Sequence, residues 1–239
     1  MSVLGFDTAT AATAVALGEG SCVAAPVLAL RDDPAPGERP GHAGRLLALV
    51  AEAVRRGGGW GRVHRIAVGV GPGTFTGLRI GVATAHGLAR ARGIELVGVS
   101  TLRALALPAH AGTSGGDGVL ALIDARRGEL YAAGWRPGSD PGADPPLIGP
   151  CVVAPEAVCE QLEGLGATML AVGDGALQFA EMLRGAGARV PEAQSGLHRV
   201  SAAAHCTLGA RAPAGPIGLV QPEYLRAPDA ELARRAAAR

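Results

Sequence analysis

Hydrophobic and polar positions along the chain fall into short blocks whose period switches between strand and helix spacing. Val3–Phe6 and Ala12–Gly18 read as two strands joined by a small turn, and Ser21–Leu30 reads as a third. The charged, Pro- and Gly-rich stretch Arg31–Gly41 reads as a loop. From His42 to Arg56 the spacing becomes helical, with Leu46, Leu47, Leu49, Val50 and Val54 on a broad apolar face and Gly57-Gly58-Gly59 as the stop. Ile66–Val70 is an unbroken apolar run and predicts a buried strand. A Gly71-Pro72-Gly73 turn follows, then a helix reaching Arg92 with Thr74 or Thr76 at its mouth. Glu95–Val99 predicts another strand, and Ser100 or Thr101 is placed to cap a helix through Ala109.

The second half repeats the strand-and-helix alternation without repeating residues. Ala109–Gly118 is a Gly- and Ser-rich junction. Beyond it, Val119–Ala125 and Glu129–Trp135 predict a hairpin around Arg126-Arg127-Gly128. Arg136–Pro150 reads as an exposed loop. Pro155–Leu162, Ala176–Gly185 and Val200–Arg211 read as helices, and Thr168–Val172 as a strand. The layout predicts two small α/β lobes, 1–109 and 118–222, with a charged, alanine-rich tail at 223–239.

Within the helix after the Gly-Pro-Gly turn, Gly77, Gly81, Ala85 and Ala89 recur every four residues and form one smooth stripe. Each interior glycine costs about 1 kcal/mol against alanine, so the stripe calls for a compensating close approach. Either the chain's own domain or the helix of a partner can supply it. The preceding turn looks like a nucleotide loop, yet it lacks both common fingerprints. The phosphate loop needs a lysine, and the chain has none. In the dinucleotide pattern, Thr74 or Thr76 stands where the third glycine belongs. Asp7, at the first turn, is open to two readings: a phosphate or metal–water contact, or a turn-former bonding backbone N–H groups. Thr8, Gly73 and Thr74 are the residues that would join it in a nucleotide site. Asp124 and Glu129 flank Arg126 and Arg127, which favours charge compensation over a pair of catalytic carboxylates.

GVGPGTFTGLRIGVATAHGLA, with the opening VLGFDTATAATAVAL, resembles the TsaB (YeaZ) family. IELVGVSTLRALA, LALIDARRGELYAAGW and PEYLR extend the resemblance in the family's order. The resemblance implies a two-lobed α/β fold of the actin/Hsp70/sugar-kinase (ASKHA) type. It implies a non-catalytic dimerisation subunit that pairs with TsaD for threonylcarbamoyl transfer to the adenosine next to the anticodon of tRNA. The helices at His42–Arg56 and Thr74–Arg92 would pack against the partner's counterparts. The interface expected on that basis comprises His42, Leu46, Leu49, Val50, Phe75, Gly77, Leu78, Gly81, Val82, Ala85 and Ala89. An ATPase, TsaE, would join the pair, tRNA would be met indirectly, and the chain alone would form a homodimer through the same surface. The chain would carry no cofactor of its own, with ATP or ADP left to the subunit interface. TsaD binds its metal through a helical histidine pair spaced i, i+4. Here Leu46 lies four residues after His42, and Val82 and Arg90 lie four either side of His86, so no metal site is expected. The alternative reading is an ATP-dependent small-molecule kinase of the same superfamily, acting through Asp7 and the GPGTFTG loop.

Composition narrows the classes further. Hydrophobic residues make up 48% of the 239 positions but aromatics only 3%, so the core is built from Ala, Val, Leu and Ile. With no lysine, Schiff-base and pyridoxal chemistry are excluded. A net charge of +1 is far from that of a nucleic-acid reader, which leaves only a basic patch assembled in three dimensions. Cys22, Cys151, Cys159 and Cys206 form no C-x-x-C and read as free thiols of a reducing cytoplasm. No secretory pattern or membrane span is expected.

Overall fold

The computed structural model describes residues 1–19, 28–35, 37–113 and 116–226. Part of the expected third strand (21–27), Cys22 and the tail 227–239 lie outside them. Five strands form the first sheet: β1 (Ser2–Asp7), β2 (Thr13–Glu19), β3 (Leu28–Asp32), β4 (Arg65–Gly71) and β5 (Glu95–Ser100), in the order β3-β2-β1-β4-β5. β1, β4 and β5 run parallel, and β2 and β3 return antiparallel. A second, four-stranded sheet has the order β8-β7-β6-β9, from β6 (Gly118–Arg126), β7 (Glu129–Trp135), β8 (Ile148–Val153) and β9 (Met169–Val172).

Strand alternation divides the core into four apolar layers. On one face of the first sheet, Leu4, Phe6, Val15, Leu17, Ile66 and Val68 meet α1 (His42–Arg56) and α2 (Phe75–Arg92). On the other, Val3, Ala14, Ala16, Ala67 and Val97 meet α3 (Thr101–Gly112) and α7 (Ala202–Arg211). α3 also packs on the second sheet through Leu102, Leu105 and Ala109, against Val119, Ala121 and Ile123. The outer face of that sheet, with Leu120, Leu122 and Leu130, is covered by α4 (Pro155–Gly164), α5 (Asp174–Gln178) and α6 (Ala180–Gly185). Helices and sheets therefore alternate in five layers, with α3 and α7 between the sheets.

Three elements depart from the sequence reading. β8 lies within and beyond the stretch expected to be a loop. Gly149 and Pro150 hid it, and Pro is tolerated there because β8 is an edge strand. The helix expected at Ala176–Gly185 is two short ones that break at Phe179. Most consequentially, the second lobe does not run to residue 222. From Ala202 the chain returns to the first lobe, because α7 presents small residues that fit closely on β1 and β4. A Cβ on Gly5 would stand 2.6 Å from the Ala202 carbonyl.

Arg65 secures that return. Its buried guanidinium donates to the carbonyls of Gly209 and Ala212, each at 2.7 Å, and to Glu95 at 2.9 Å. It thereby satisfies carbonyl groups at the α7 C-terminus. Arg65→Met removes these charge-assisted bonds. The expected loss of stability is about 1.5–3 kcal/mol, measured by denaturant unfolding.

Candidate functional site

β1 ends at Asp7, where the chain turns beneath the N-termini of α2 and α3. Asp7 is 1% exposed. One carboxylate oxygen accepts the Ala9 N–H at 2.7 Å, and the other accepts the Thr101 hydroxyl at 2.9 Å. His205 Nε2 also lies 2.9 Å from that second oxygen, off the line of an ideal hydrogen bond, so the contact is one of charge more than of alignment. The other ring nitrogen of His205 donates to the Ser201 carbonyl at 3.0 Å. Both nitrogens thus face oxygen acceptors. Room for the carboxylate exists because β4 has Gly69 opposite it, where a Cβ would collide with Asp7. Burial works to raise the Asp7 pKa. The His205 contact, the Ala9 amide and the Thr101 hydroxyl outweigh it and hold the carboxyl below its ordinary value. Asp7 therefore ties β1, α3 and α7 together. Thr101, expected as a helix cap, serves this knot instead, and Ser100 makes no side-chain cap bond.

The other nucleotide-site candidates gather at the same turn, but their polar groups face one another. Thr8 is buried, and its hydroxyl donates to the Gly77 carbonyl at 2.7 Å. The Thr74 N–H donates to the Ala9 carbonyl at 2.7 Å. A Cβ on Gly73 would run into Ala9. The Thr8 hydroxyl and the Ala9 and Thr74 amides are thus paired within the chain. The hydroxyl expected to cap α2 is also absent from that role: Thr74 occupies the cap position without a side-chain cap bond.

The glycine stripe faces the same turn. At Gly77 an added Cβ would overlap the Thr8 carbonyl, and at Gly81 it would stand 2.5 Å from the Thr8 hydroxyl. Ala85 and Ala89 are fully buried against the first sheet. The stripe's close neighbour is therefore β1 and its turn, not a second molecule. The same correction applies to Leu46, Val50, Leu78 and Val82, which are buried in this chain's own core. His42 is buried too, its Nδ1 2.8 Å from the Thr13 hydroxyl. Burial lowers its pKa against the opposing pull of Asp7, the Thr10 backbone and Asp32. Of the expected interface residues, only Leu49 and Phe75 keep substantial surface, Phe75 at 36%.

Two features escaped the sequence reading. Phe75, Arg79 and Tyr224 form an exposed cluster at the start of α2. The rings are 5.2 Å apart, the Arg79 guanidinium lies 3.8 Å over Phe75, and its Nε donates to the Tyr224 hydroxyl at 3.1 Å. Residues 217–226 run past this cluster as a strap. Val220 accepts a bond from His86 at 2.7 Å, Glu223 N–H donates to Val70 at 2.7 Å, and Arg226 reaches the Ala125 carbonyl at 2.7 Å. A cleft of about 290 Å³ between the lobes is lined by Thr10, Arg31, Asp174, His198 and Arg199. Asp174 as a residue retains exposed surface, but burial of its carboxyl, with Asp124 nearby, raises its pKa. At the hairpin, Arg126 pairs with Asp124 at 3.1 Å and Arg226 reaches Glu129, so the acidic pair serves charge compensation. Among the described residues, no three His, Cys, Asp or Glu side chains converge as metal ligands, and no helix is long and apolar enough to cross a membrane.

A family model described as TsaD, tRNA N6-adenosine threonylcarbamoyltransferase, matches residues 39–159. The tRNA threonylcarbamoyladenosine biosynthesis protein TsaB of Escherichia coli K12 is 36% identical over 176 residues, 73% of this chain and 72% of that protein. The chain belongs to the TsaB family. The solved YeaZ of Pseudomonas aeruginosa superposes with a TM-score of 0.73 at 26% identity, covering 94% of this chain and 99% of that one. The ethanolamine utilization protein EutJ of Carboxydothermus hydrogenoformans, 16% identical with a TM-score of 0.51 over 86% of this chain and 89% of its own, shares the fold alone. The TsaB chain thus has the two-lobed ASKHA architecture, with the first turn of that fold closed by its own residues.

Two outcomes follow from the closed turn. Because the Asp7 pKa is lower folded than unfolded, its contribution is complete above the ordinary carboxylate range and is lost as pH falls through the folded value. Asp7→Asn should remove that acid-side dependence and lower stability at neutral pH by about 3–5 kcal/mol, as for breaking a buried pair. Thermal melts across acid to neutral pH measure both. Gly77→Ala should overpack α2 against Thr8 and lower stability by about 1–3 kcal/mol in denaturant titrations, whether or not a partner is present.

Proposed function

We propose that this chain is the non-catalytic dimerisation subunit of the machinery that transfers a threonylcarbamoyl group to the adenosine next to the anticodon of tRNA. It pairs with TsaD through the outward face of α1 and α2. The observation that carries this reading is a pair of glycines with no internal purpose. Gly44 in α1 and Gly87 in α2 are exposed, and a Cβ on either would meet nothing within 4 Å. Each costs about 1 kcal/mol of helix stability, and neither admits a neighbour from its own chain. They sit among small or apolar exposed residues: Ala43, Leu47 and Ala51 on α1, and Ala83 and Ala91 on α2. Leu47 is 55% exposed. Such a face accepts two further helices at close range. In this reading a threonylcarbamoyl-transfer partner packs opposite it.

In this reading the metal and the threonylcarbamoyl-adenylate belong to TsaD. TsaE joins the pair, and ATP or ADP binds at the junction between subunits. The closed turn of this chain supports that division, because a kinase acting through Asp7 would need the oxygens that Ala9, Thr101 and His205 already engage. Without TsaD, the same face pairs with a second copy of the chain. The setting is the cytoplasm, where tRNA is modified.

Gly87→Arg and Ala83→Glu should abolish co-elution with TsaD in size-exclusion chromatography while leaving the melting temperature within a degree or two. Gly87→Ala should keep the pair together. Co-elution of both bulky variants at wild-type affinity would overturn the interface. The purified chain should also show no threonylcarbamoyl transfer to tRNA until TsaD is added; transfer by the chain alone would overturn the assignment.

A further inference from the structure

The end of the first lobe opposite Asp7 carries a feature that dimerisation does not use. β1, β4 and β5 are parallel, so their starting residues share one edge, and α1 and α2, which lead into β4 and β5, both finish there. Each helix ends in arginines: Arg55 and Arg56 on α1, Arg90 and Arg92 on α2. Arg62 lies in the turn between α1 and β4. All five are exposed. Of these, only Arg55 has an acidic partner among the described residues, Glu52 at 2.7 Å. Glu95 at the same edge is paired with Arg65, whose charge is already engaged by α7, and Glu19 ends the neighbouring strand. The chain as a whole carries only +1, so positive charge is concentrated here.

At this edge lies a groove of about 640 Å³, walled by Trp60, His64, Arg92 and the Arg65-paired Glu95 over Val63 and Ile94. The Arg92 guanidinium lies 4.9 Å over the Trp60 ring. Arginine planes stack on bases as aromatic rings do, so the pair makes an extended stacking platform. His64 Nδ1 accepts the Ser2 N–H at 3.1 Å, which leaves Nε2–H as a donor at the groove wall. A stacking platform and a donor in one open groove, with unpaired guanidinium groups at the same edge of the lobe, are the parts of a single-stranded nucleic-acid site.

We propose that this groove binds RNA directly, with an unpaired base stacked on Trp60 and Arg92 and the flanking phosphates held by Arg62, Arg56 and Arg90. The choice of RNA rests on the tRNA-modification reading above. The site lies at the helix C-termini and the strand starts, away from the closed turn. It makes the chain a tRNA-contacting subunit rather than a dimerisation element only.

The intrinsic fluorescence of the chain isolates the site. It has two tryptophans, and Trp135 is 1% exposed in the core, so Trp60 is the one a ligand can reach. The full chain is titrated with a fluorescein-labelled anticodon stem–loop RNA, following anisotropy and tryptophan emission over a salt series. Binding with quenched emission is expected. Arg62→Glu with Arg92→Glu should weaken it at least tenfold and flatten the salt slope by about 0.7 per lost contact. Trp60→Leu should weaken binding roughly 5- to 150-fold, the range for one stacked base. Arg136→Glu, an exposed arginine on the second lobe, controls for net charge and should bind within twofold of wild type. Melting temperature and pairing with TsaD are scored on the same preparations. A chain that pairs with TsaD yet does not bind the RNA, binds without a change in Trp60 emission, or loses as much affinity with Arg136→Glu overturns this inference and leaves the dimerisation reading standing.

Discussion

The buried carboxylate of Asp7 is the interaction on which the rest of the structure depends. A single ionised group at the end of β1 gathers an amide from its own turn, a hydroxyl from α3 and an imidazole from α7. An unpaired buried charge would cost several kcal/mol, so each partner is needed for the others to be tolerated. The knot explains why α3 and α7 sit between the sheets, why β4 has a glycine opposite Asp7, and why the chain returns to its first lobe after building the second. It also has a functional consequence. The Asp7 carboxylate is engaged by the chain's own groups, and the outer surfaces of α1 and α2 remain open.

Those outer surfaces lie on one helical layer. α1 and α2 bury one side against the first sheet and leave the other open. Their inward side is a tight fit around Thr8, which needs Gly77 and Gly81. Their outward side carries Gly44 and Gly87, which nothing in the chain needs. Their C-terminal ends carry exposed arginines, of which Arg92 lies over Trp60. A protein-facing side and an RNA-facing end on the same two helices would hold a partner and its substrate in a fixed relation.

Much of this organisation was legible in the sequence. The limits of α1 at His42 and Arg56 followed from leucine spacing and the glycine stop, and β6 and β7 followed from alternation around Arg126-Arg127-Gly128. The stripe Gly77, Gly81, Ala85, Ala89 was legible as a demand for close approach, but not its direction. α2 carries a second small-residue stripe, Ala83, Gly87, Ala91, offset around the helix, and periodicity alone cannot say which of the two faces the sheet. Burial resolves it: the first stripe faces the sheet and the second faces outward. β8 was hidden by Gly149 and Pro150, which an edge strand tolerates. The Asp7–His205 contact joins residues far apart in the chain, and no local pattern announces it. The basic groove was equally unreadable, because its arginines end two helices and a turn that meet only through the parallel order of β1, β4 and β5.

The central claim is that the outward face of α1 and α2, and not the glycine stripe, receives TsaD. Site-specific alkylation tests it most directly. Cysteines are introduced singly at Leu47, Ala83 and, as a reference, Arg136, and their maleimide labelling rates are compared with and without TsaD by mass spectrometry of the tagged peptides. The account predicts that TsaD slows labelling at positions 47 and 83 at least tenfold and leaves position 136 unchanged. Unaltered labelling at 47 and 83 in a preparation where the two proteins co-elute would contradict it.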